Sequence, residues 1–385
     1  MKALHLGDLH LGKSVCDFSM VEDQRAMLGQ ILDLVRDRGI DMVLIAGDVY
    51  DKPVPGEEAV GLLNEFLCRL ARAGVETFLI SGNHDSDERL NFGSRLFQAS
   101  GIYIAAKYEG KIFKRECRDR FGRINVYLLP FVKASQVRHF YPDENIRSYE
   151  DAVRVALAHA DMDPSERNIL VAHQFVAGKS ADPRLGGSEG ASAREVGAVE
   201  RVGADCFADF DYVALGHIHS PQKVGRDTVR YAGSMLKYSL SEIGDEKSVP
   251  IVTFGEKGAV SVELEALKPV RDMRRLKGRL EQLLDRKNIL SPDDYIYVTL
   301  TDEDPVQNAM GIFRQYYRNT MKLDYDNAHT REAQCFDFTK CTDRKTYTEL
   351  ISDFYYMMYG CPISGEELGV MEEVAREAGV ADEAG

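Results

Sequence analysis

The stretch Ala3–Gly12 reads ALHLGDLHLG. An apolar run stops at Gly7, an acid follows at Asp8, and an imidazole stands two positions on at His10. Residues two apart in an extended segment share a side. Asp8 and His10 therefore aim at one point beyond the end of a buried strand. A single tip of this kind reads equally well as a turn or a helix cap. It gains meaning from the tips that follow: Gly47-Asp48, Gly82-Asn83-His84-Asp85, Ala172-His173 and Gly216-His217-Ile218-His219, each at the end of an apolar run. GNHD alone would fit a type I′ turn, but the ordered set is a poor match to chance.

Between the first tips lie MVEDQRAMLGQILDLVRDRG and GEEAVGLLNEFLCRLARAG, apolar at helical spacing and closed by Gly39 and Gly74. Strand, helix, strand, helix, strand predicts parallel βαβ units, and open α/β sheets bind ligands beyond the carboxyl ends of their strands. From Gly101 the pattern changes. GIYIA, GKIFKREC and RINVYLLPF predict short strands of a mixed or antiparallel sheet, and 148–162 predicts a helix. VRYAGS, VPIVTFG and AVSVELEAL predict closing strands, and LKPV at 267–270 a linker. A smaller α+β unit is expected next: helix 272–286, strand YIYVTLT, helix 305–319 and strand MKLDYD. RKTYTELISDFYYMMYG and the segment after PISGEEL predict two final helices. The fold class is α/β, divided into 1–266, 271–335 and 343–385.

The tips together offer two carboxylates, a carboxamide and several imidazoles. That is too many hydrogen-bonding groups for a dry core, and it suits two divalent metals sharing a carboxylate. Mixed nitrogen and oxygen donors favour Mn, Fe or Zn over Ca. No cysteine joins the set. The 7 cysteines are scattered without a CxxC pair, as expected of reduced thiols in a cytoplasmic protein. His5, His139, His159 and His329 belong to no tip and read as structural or solvated. No apolar run approaches the ~18 residues of a membrane span, and the N-terminus lacks the zones of a signal peptide. A net charge of −14 argues against holding nucleic acid by overall charge. It leaves room for a local basic face, such as RDMRRLKGRLEQLLDRK at 271–287 with Arg314, Arg318 and Lys322.

The order D-x-H, GD, GNHD, H, GH-x-H resembles the calcineurin-like metallophosphoesterases over residues 1–265. The longer markers GDLHLGK, AGDVYDKPVP, ISGNHDS, YVALGHIHSPQ and RYAGSMLKYSLSE are similar to those of SbcD-type DNA repair nucleases, as is GSEGASAREVGAVERVGADCF. Met235 departs from the GSP common there, and GDVYD is not followed by the Arg of Ser/Thr phosphatases.

The resemblance implies a β-sandwich flanked by helices over 1–266, a small DNA-binding capping domain over 271–335, and C-terminal helices over 343–385 that dock on an SbcC-like SMC-family ATPase. It implies that Asp8, His10, Asp48 and His219 hold one metal, and that Asp48, as the bridge, with Asn83, His173 and His217 holds the other. Mn2+ is the expected ion, with Mg2+, Fe2+ or Zn2+ as alternatives. His84 would not be a ligand. It would contact the scissile phosphate and stabilise or protonate the leaving oxygen, with Asp51 as the acidic partner that orients it. The implied activity is double-stranded DNA exonuclease and single-stranded DNA endonuclease, in a homodimer that forms a heterotetramer with the ATPase at the nucleoid. Tyr347, Leu350, Ile351, Phe354, Tyr355 and Met358 form the expected docking stripe. The alternative is a phosphoesterase acting on a small phosphodiester or phosphomonoester, for which a cap and a hydrophobic terminal helix have no evident use.

Overall fold

The computed structural model describes residues 1–178, 182–187, 201–328, 347–359 and 362–377. The chain divides into two compact units, Met1–Met273 and Arg274–Gly385. His329, Cys335, Cys341, Cys361 and most of the GSEGASAREVGAVERVGADCF marker lie outside the described residues.

The first unit opens with β1 (Lys2–Leu6), α1 (Val21–Arg38), β2 (Met42–Ala46), α2 (Glu57–Arg72), β3 (Glu76–Ile80) and β4 (Ile102–Ala105). It continues with β5 (Phe113–Asp119), β6 (Gly122–Leu129), α3 (Ala134–Phe140), α4 (Tyr149–Ala158), β7 (Arg167–His173), β8 (Tyr212–Gly216), β9 (Gln222–Val224), β10 (Arg226–Tyr231), β11 (Ser248–Phe254) and β12 (Val260–Ala266). The strands form two six-stranded sheets, in the orders β12-β11-β1-β2-β3-β4 and β9-β10-β8-β7-β6-β5. β1 to β4 are mutually parallel, as are β6, β7, β8 and β10; antiparallel strands close one edge of the first sheet and both edges of the second. β4, expected to open a mixed or antiparallel region, instead extends the first sheet in parallel. The helix predicted over 148–162 starts as expected, at a Ser148–Asp151 capping box, and ends earlier, as α4, at Ala158.

The two sheets face each other across a core of alternating residues, among them Ala3, Leu44, Phe78, Val126, Val171, Ala214 and Phe254. Alternation puts the intervening residues on the outer faces. On the second sheet Tyr127, Leu170 and Val213 pack with Val153 and Ala156 of α4. Phe78 is fully buried at the centre, and its replacement by Ala is expected to cost about 3–5 kcal/mol. The parallel strands run the same way within each sheet, so their carboxyl ends gather at one edge.

In the second unit β13 (Met273–Gly278), β14 (Tyr295–Leu300) and β15 (Thr320–Tyr325) form a three-stranded sheet, with α5 (Leu280–Leu283) and α6 (Ala309–Tyr316). β13 begins at the last residue of the first unit. The helix predicted over 272–286 is absent. Leu276, Leu280, Leu283 and Leu284 have helical spacing, yet they reach one core, around Ile296, Val298 and Phe313, from a strand and a single helical turn. Gly278 stands where the long helix would need an interior residue, and glycine there costs about 1 kcal/mol. Arg274 binds Asp294 at 2.6 Å, and Arg275 lies over the Tyr297 ring at 4.8 Å, so the basic stretch is satisfied as a strand. The helix predicted over 305–319 is α6, preceded by Asn308 at φ 53°. α7 (Tyr347–Tyr359) and α8 (Gly365–Glu377) follow. Among the described residues no helix is long and apolar enough to cross a membrane.

Candidate metal centre

All five tips meet. The turn after β1 is stitched to the turn after β2: Asp8 N donates to Gly47 O at 3.2 Å and His10 N to Asp48 O at 2.9 Å. Asp8, His10, Asp48 and His217 hold positive φ of 52°, 43°, 47° and 102°. Left-handed backbone at non-glycine residues costs about 1–3 kcal/mol each and persists only where the surroundings enforce it. Two glycines are required by close approach. A Cβ on Gly216 would lie 1.8 Å from Ala46 O, and one on Gly82 2.1 Å from Asp48 Oδ1. Neither Asn83 nor His84 has positive φ, so GNHD is not a type I′ turn. Its Asp85 is buried and accepts from Gly82 N, Val49 N and Tyr50 N at 2.9–3.0 Å, tying the second tip to the third.

Asp8, His10, Asp48, His173, His217 and His219 are buried, while Asn83 and His84 are partly open. Asp48 Oδ2 lies 3.5 Å from His10 Nε2 and 3.4 Å from His173 Nε2, between the two groups of imidazoles. Its Oδ1 accepts from His84 N at 2.9 Å. Ligand atoms of Asp8, His10 and His219 lie within 4.8 Å of one another, as do those of Asp8, Asp48 and His173. Asn83 Oδ1 is 3.0 Å from both His173 Nε2 and His217 Nδ1.

These contacts fit cations. His173 Nδ1 donates to Ala46 O at 2.7 Å, so in the neutral ring Nε2 carries a lone pair and faces two acceptors. His10 Nε2 and His219 Nε2 face each other at 3.0 Å. Asp8 Oδ2 and His217 Nε2 are buried with no hydrogen-bond partner. A buried unpaired polar atom costs about 1–3 kcal/mol, and a metal would relieve each.

The electrostatics agree. Burial works against a charged His173, but Asp48 outweighs it and lifts the ring to about 9. Burial would also raise Asp48, yet His173 and His10 hold it well below the usual carboxylate range. Burial, helped by the neighbouring Asp48 charge, pushes Asp8 up to about 6 against the pull of His219 and His173, and burial dominates at His10 and His217, which fall to about 4 and about 3. The site thus favours one added positive charge beside Asp48 and keeps His10 and His217 neutral, the form that binds metal.

Around the cluster stand residues that the sequence reading did not single out. Glu242 is fully buried, with Oε1 3.7 Å from His219 Nδ1 and Oε2 accepting from Lys247 Nζ at 2.6 Å. Lys247 also donates to His219 O and Ser234 Oγ, both at 2.9 Å. Burial would raise Glu242, but His219 and Lys247 bring it down to about 2. Gln24 donates to His10 O at 2.7 Å and to Tyr238 Oη at 2.9 Å, and Tyr238 in turn donates to Leu9 O. The only sequence signal for this layer is that Glu242 ends the RYAGSMLKYSLSE marker.

His84 lies against His10, ring centroids 4.8 Å apart. Asp51 was expected to orient it through a carboxylate. Instead the Asp51 carbonyl faces His84 Nδ1 at 3.1 Å. The Asp51 carboxylate pairs with Lys13 Nζ at 2.6 Å and lies 3.5 Å from His10 Nδ1. The side chain thus turns towards the first tip; ligand atoms of His10, Asp51 and His84 lie within 4.8 Å of one another, but the hydrogen bond of His84 is to the Asp51 main chain. Of the histidines set aside, His5 bonds Tyr212 Oη at 3.0 Å, His139 is exposed, and His159 stacks on Tyr141.

Comparisons with known proteins bear on this arrangement. Residues 1–221 match the family model of calcineurin-like phosphoesterases, and residues 269–359 match a model described as the type 5 capsule protein repressor C-terminal domain. The chain is 30% identical over 362 residues, 93% of each sequence, to the SbcD subunit of the nuclease SbcCD of Staphylococcus epidermidis. Among solved structures it is similar to a dimetal phosphatase from Danio rerio (11% identity, TM-score 0.38, covering 70% of this chain and 98% of that one). It is also similar to GAP50 of Plasmodium (14% identity, TM-score 0.35, covering 84% and 96%). These TM-scores are low, and membership rests on the sequence matches.

Proposed function

The chain belongs to the calcineurin-like phosphoesterases, in the family of the SbcD subunit of the SbcCD nuclease, and from that premise we propose that it is a Mn2+-dependent DNA nuclease. It would degrade double-stranded DNA from ends and cut single-stranded DNA internally, as the catalytic subunit of an ATP-driven repair complex with an SbcC-like ATPase. The observation that carries the reading is Asp48 Oδ2 between His10 Nε2 and His173 Nε2, with His84 alongside.

In this reading Asp8, His10, Asp48 and His219 hold one ion, and Asp48, Asn83, His173 and His217 the other. Bound divalent ions supply a water of lowered pKa and neutralise the non-bridging phosphate oxygens. The protein does the rest. Ala46 O fixes the His173 tautomer, and Glu242 with Lys247 holds His219. His84 donates a proton from Nε2 towards the leaving sugar oxygen, while the Asp51 carbonyl holds its Nδ1. A main-chain acceptor orients the ring but stabilises its charged form less than a carboxylate would.

Residues 271–335 would serve as the DNA-binding cap, and the segment from 343 would dock on the ATPase, with two copies of each chain in the complex. Leu350 and Ile351 are half-buried and Phe354 is exposed at 55%, which supports a docking role for α7. The side chains of Tyr347 and Met358, also expected in the stripe, lie outside the described residues. The test is Mn2+-dependent cleavage of linear double-stranded and circular single-stranded DNA by wild type and Asp48→Ala. Robust hydrolysis of small phosphoesters by wild type with no cleavage of DNA, even beside an SbcC-like ATPase, would defeat the nuclease reading in favour of the small-molecule alternative.

A further inference from the structure

A cleft of about 380 Å³ opens on the Asn83–His217 side of the metal centre. His84 does not line it and stands on the other side, against His10 and Asp51. The far wall comes from Phe131, Lys133 and Tyr149. The sequence explains this wall. Phe131 and Lys133 flank Val132 in the segment after β6. Val132 is fully buried in the core beneath, so its neighbours two apart share the opposite side. Phe131 N donates to Ser81 O at 3.1 Å, which anchors the segment beside the Gly82-Asn83 tip. Tyr149 is the first residue of α4, set by the Ser148–Asp151 capping box. Its ring lies 6.1 Å from that of Phe131, and Phe131 meets His173 edge-on at 6.3 Å. The wall is therefore built and held. Asp87 shares the rim within electrostatic reach of Lys133, but among the described residues no ion pair within 4.0 Å reaches the Lys133 ammonium.

We propose that this cleft is a subsite for one unstacked nucleotide flanking the scissile phosphate, its base against Phe131 and Tyr149 and its outer phosphate near Lys133. The proposal rests on the nuclease reading and adds to it a requirement for local unstacking. The volume lies at the small end of ligand sites. It holds one nucleotide unit and has no room for a base pair with its neighbours. Flat rings beside a cation match a base joined to a phosphate, and this recognition is indifferent to sequence, because every base has a π-face. A duplex end must fray before its terminal nucleotide enters, whereas a single strand enters directly.

The test measures kcat/KM with Mn2+ on a single-stranded oligonucleotide and on copies in which an abasic tetrahydrofuran residue is stepped past the cleaved bond. Wild type is expected to lose about tenfold at one flanking position. Phe131→Leu, which keeps bulk but not the ring, should abolish that discrimination at unchanged melting temperature, while Tyr149→Phe retains it. Lys133→Ala should weaken binding of base-bearing and abasic strands alike and flatten the salt dependence by about one phosphate contact. Equal cleavage of all abasic copies by wild type would overturn the subsite and leave the nuclease reading standing, as would undiminished discrimination in Phe131→Leu. Failure of wild type to cut any DNA while hydrolysing small phosphoesters would remove both.

Discussion

The strand-end cluster of the first unit and the two final helices of the second differ in how far their own surroundings determine them. At the cluster, four candidate ligands sit in left-handed backbone, and main-chain bonds from neighbouring turns hold them there. His10, His84, His173 and His219 each have a ring nitrogen or a carbonyl engaged by a named neighbour before any metal is considered. α7 and α8 are linked by Tyr355 Oη to Glu367 Oε1 at 2.8 Å, while Phe354, Tyr356, Val370, Met371 and Val374 remain exposed. A site that must hold ions at fixed distances is over-determined by its fold. A surface that waits for another chain is not, and its apolar side chains stay outside.

The hardest blow to this contrast comes from Asp48→Asn. The carboxylate between the two imidazole groups is lost with little change in shape. Cleavage should fall by at least about 10³-fold, and calorimetry should find fewer than two Mn2+ bound per chain. Two tightly bound ions in that variant would mean that Asp8, not Asp48, links the groups. His84→Gln separates chemistry from assembly. The expected fall in kcat is about 10²–10⁴-fold, with Mn2+ affinity unchanged because His84 lies outside both proposed ligand sets.

The contrast also explains what the sequence could reveal. Tips after apolar runs are local patterns, so Asp8, His10, Asp48, Asn83, His84, His173, His217 and His219 were all legible, and so were the parallel strands that deliver them. Glu242 and Lys247 reach the site from a short helical turn and a loop far along the chain, Gln24 from α1 just after the first tip, and residue type alone does not separate them from solvated polar groups. Asp51 was legible as a neighbour of the site but not in its aim, because a side chain's direction in a turn depends on backbone angles that spacing does not fix. The basic stretch at 271–287 misled for a related reason. Its leucines fit a helix, and only the sheet beside it decides for a strand.

Glu242→Gln probes the layer behind the ligands. Loss of the carboxylate that faces His219 is expected to weaken Mn2+ binding about 10–100-fold. It has a pH signature as well. The folded-state value of Glu242 lies below its ordinary one, so its contribution is fully present above pH 4.5 and is lost as pH falls towards about 2. The stability gap between wild type and Glu242→Gln should therefore be widest near neutrality and narrow by about 2 kcal/mol between pH 7 and pH 3. Urea unfolding of the metal-free proteins at the two pH values reads this directly. A gap that does not change with pH would place the loss in packing and not in charge.

The smallest expected effect on the isolated chain is the most telling for its second region. Phe354 is 55% exposed on α7, so Phe354→Asp should change stability by no more than about 0.5 kcal/mol and leave Mn2+-dependent hydrolysis intact. The same change at a docking surface removes a buried aromatic anchor and introduces a charge that cannot be solvated there. Affinity for the SbcC-like ATPase should then fall by about 30-fold or more, measured by titrating the purified ATPase. If Phe354→Asp instead lowers stability by about 2–5 kcal/mol, as large-to-small changes in a core do, the ring is part of a core of this chain. The two regions would then be determined in the same way, and the case for a partner surface on α7 would go with the contrast.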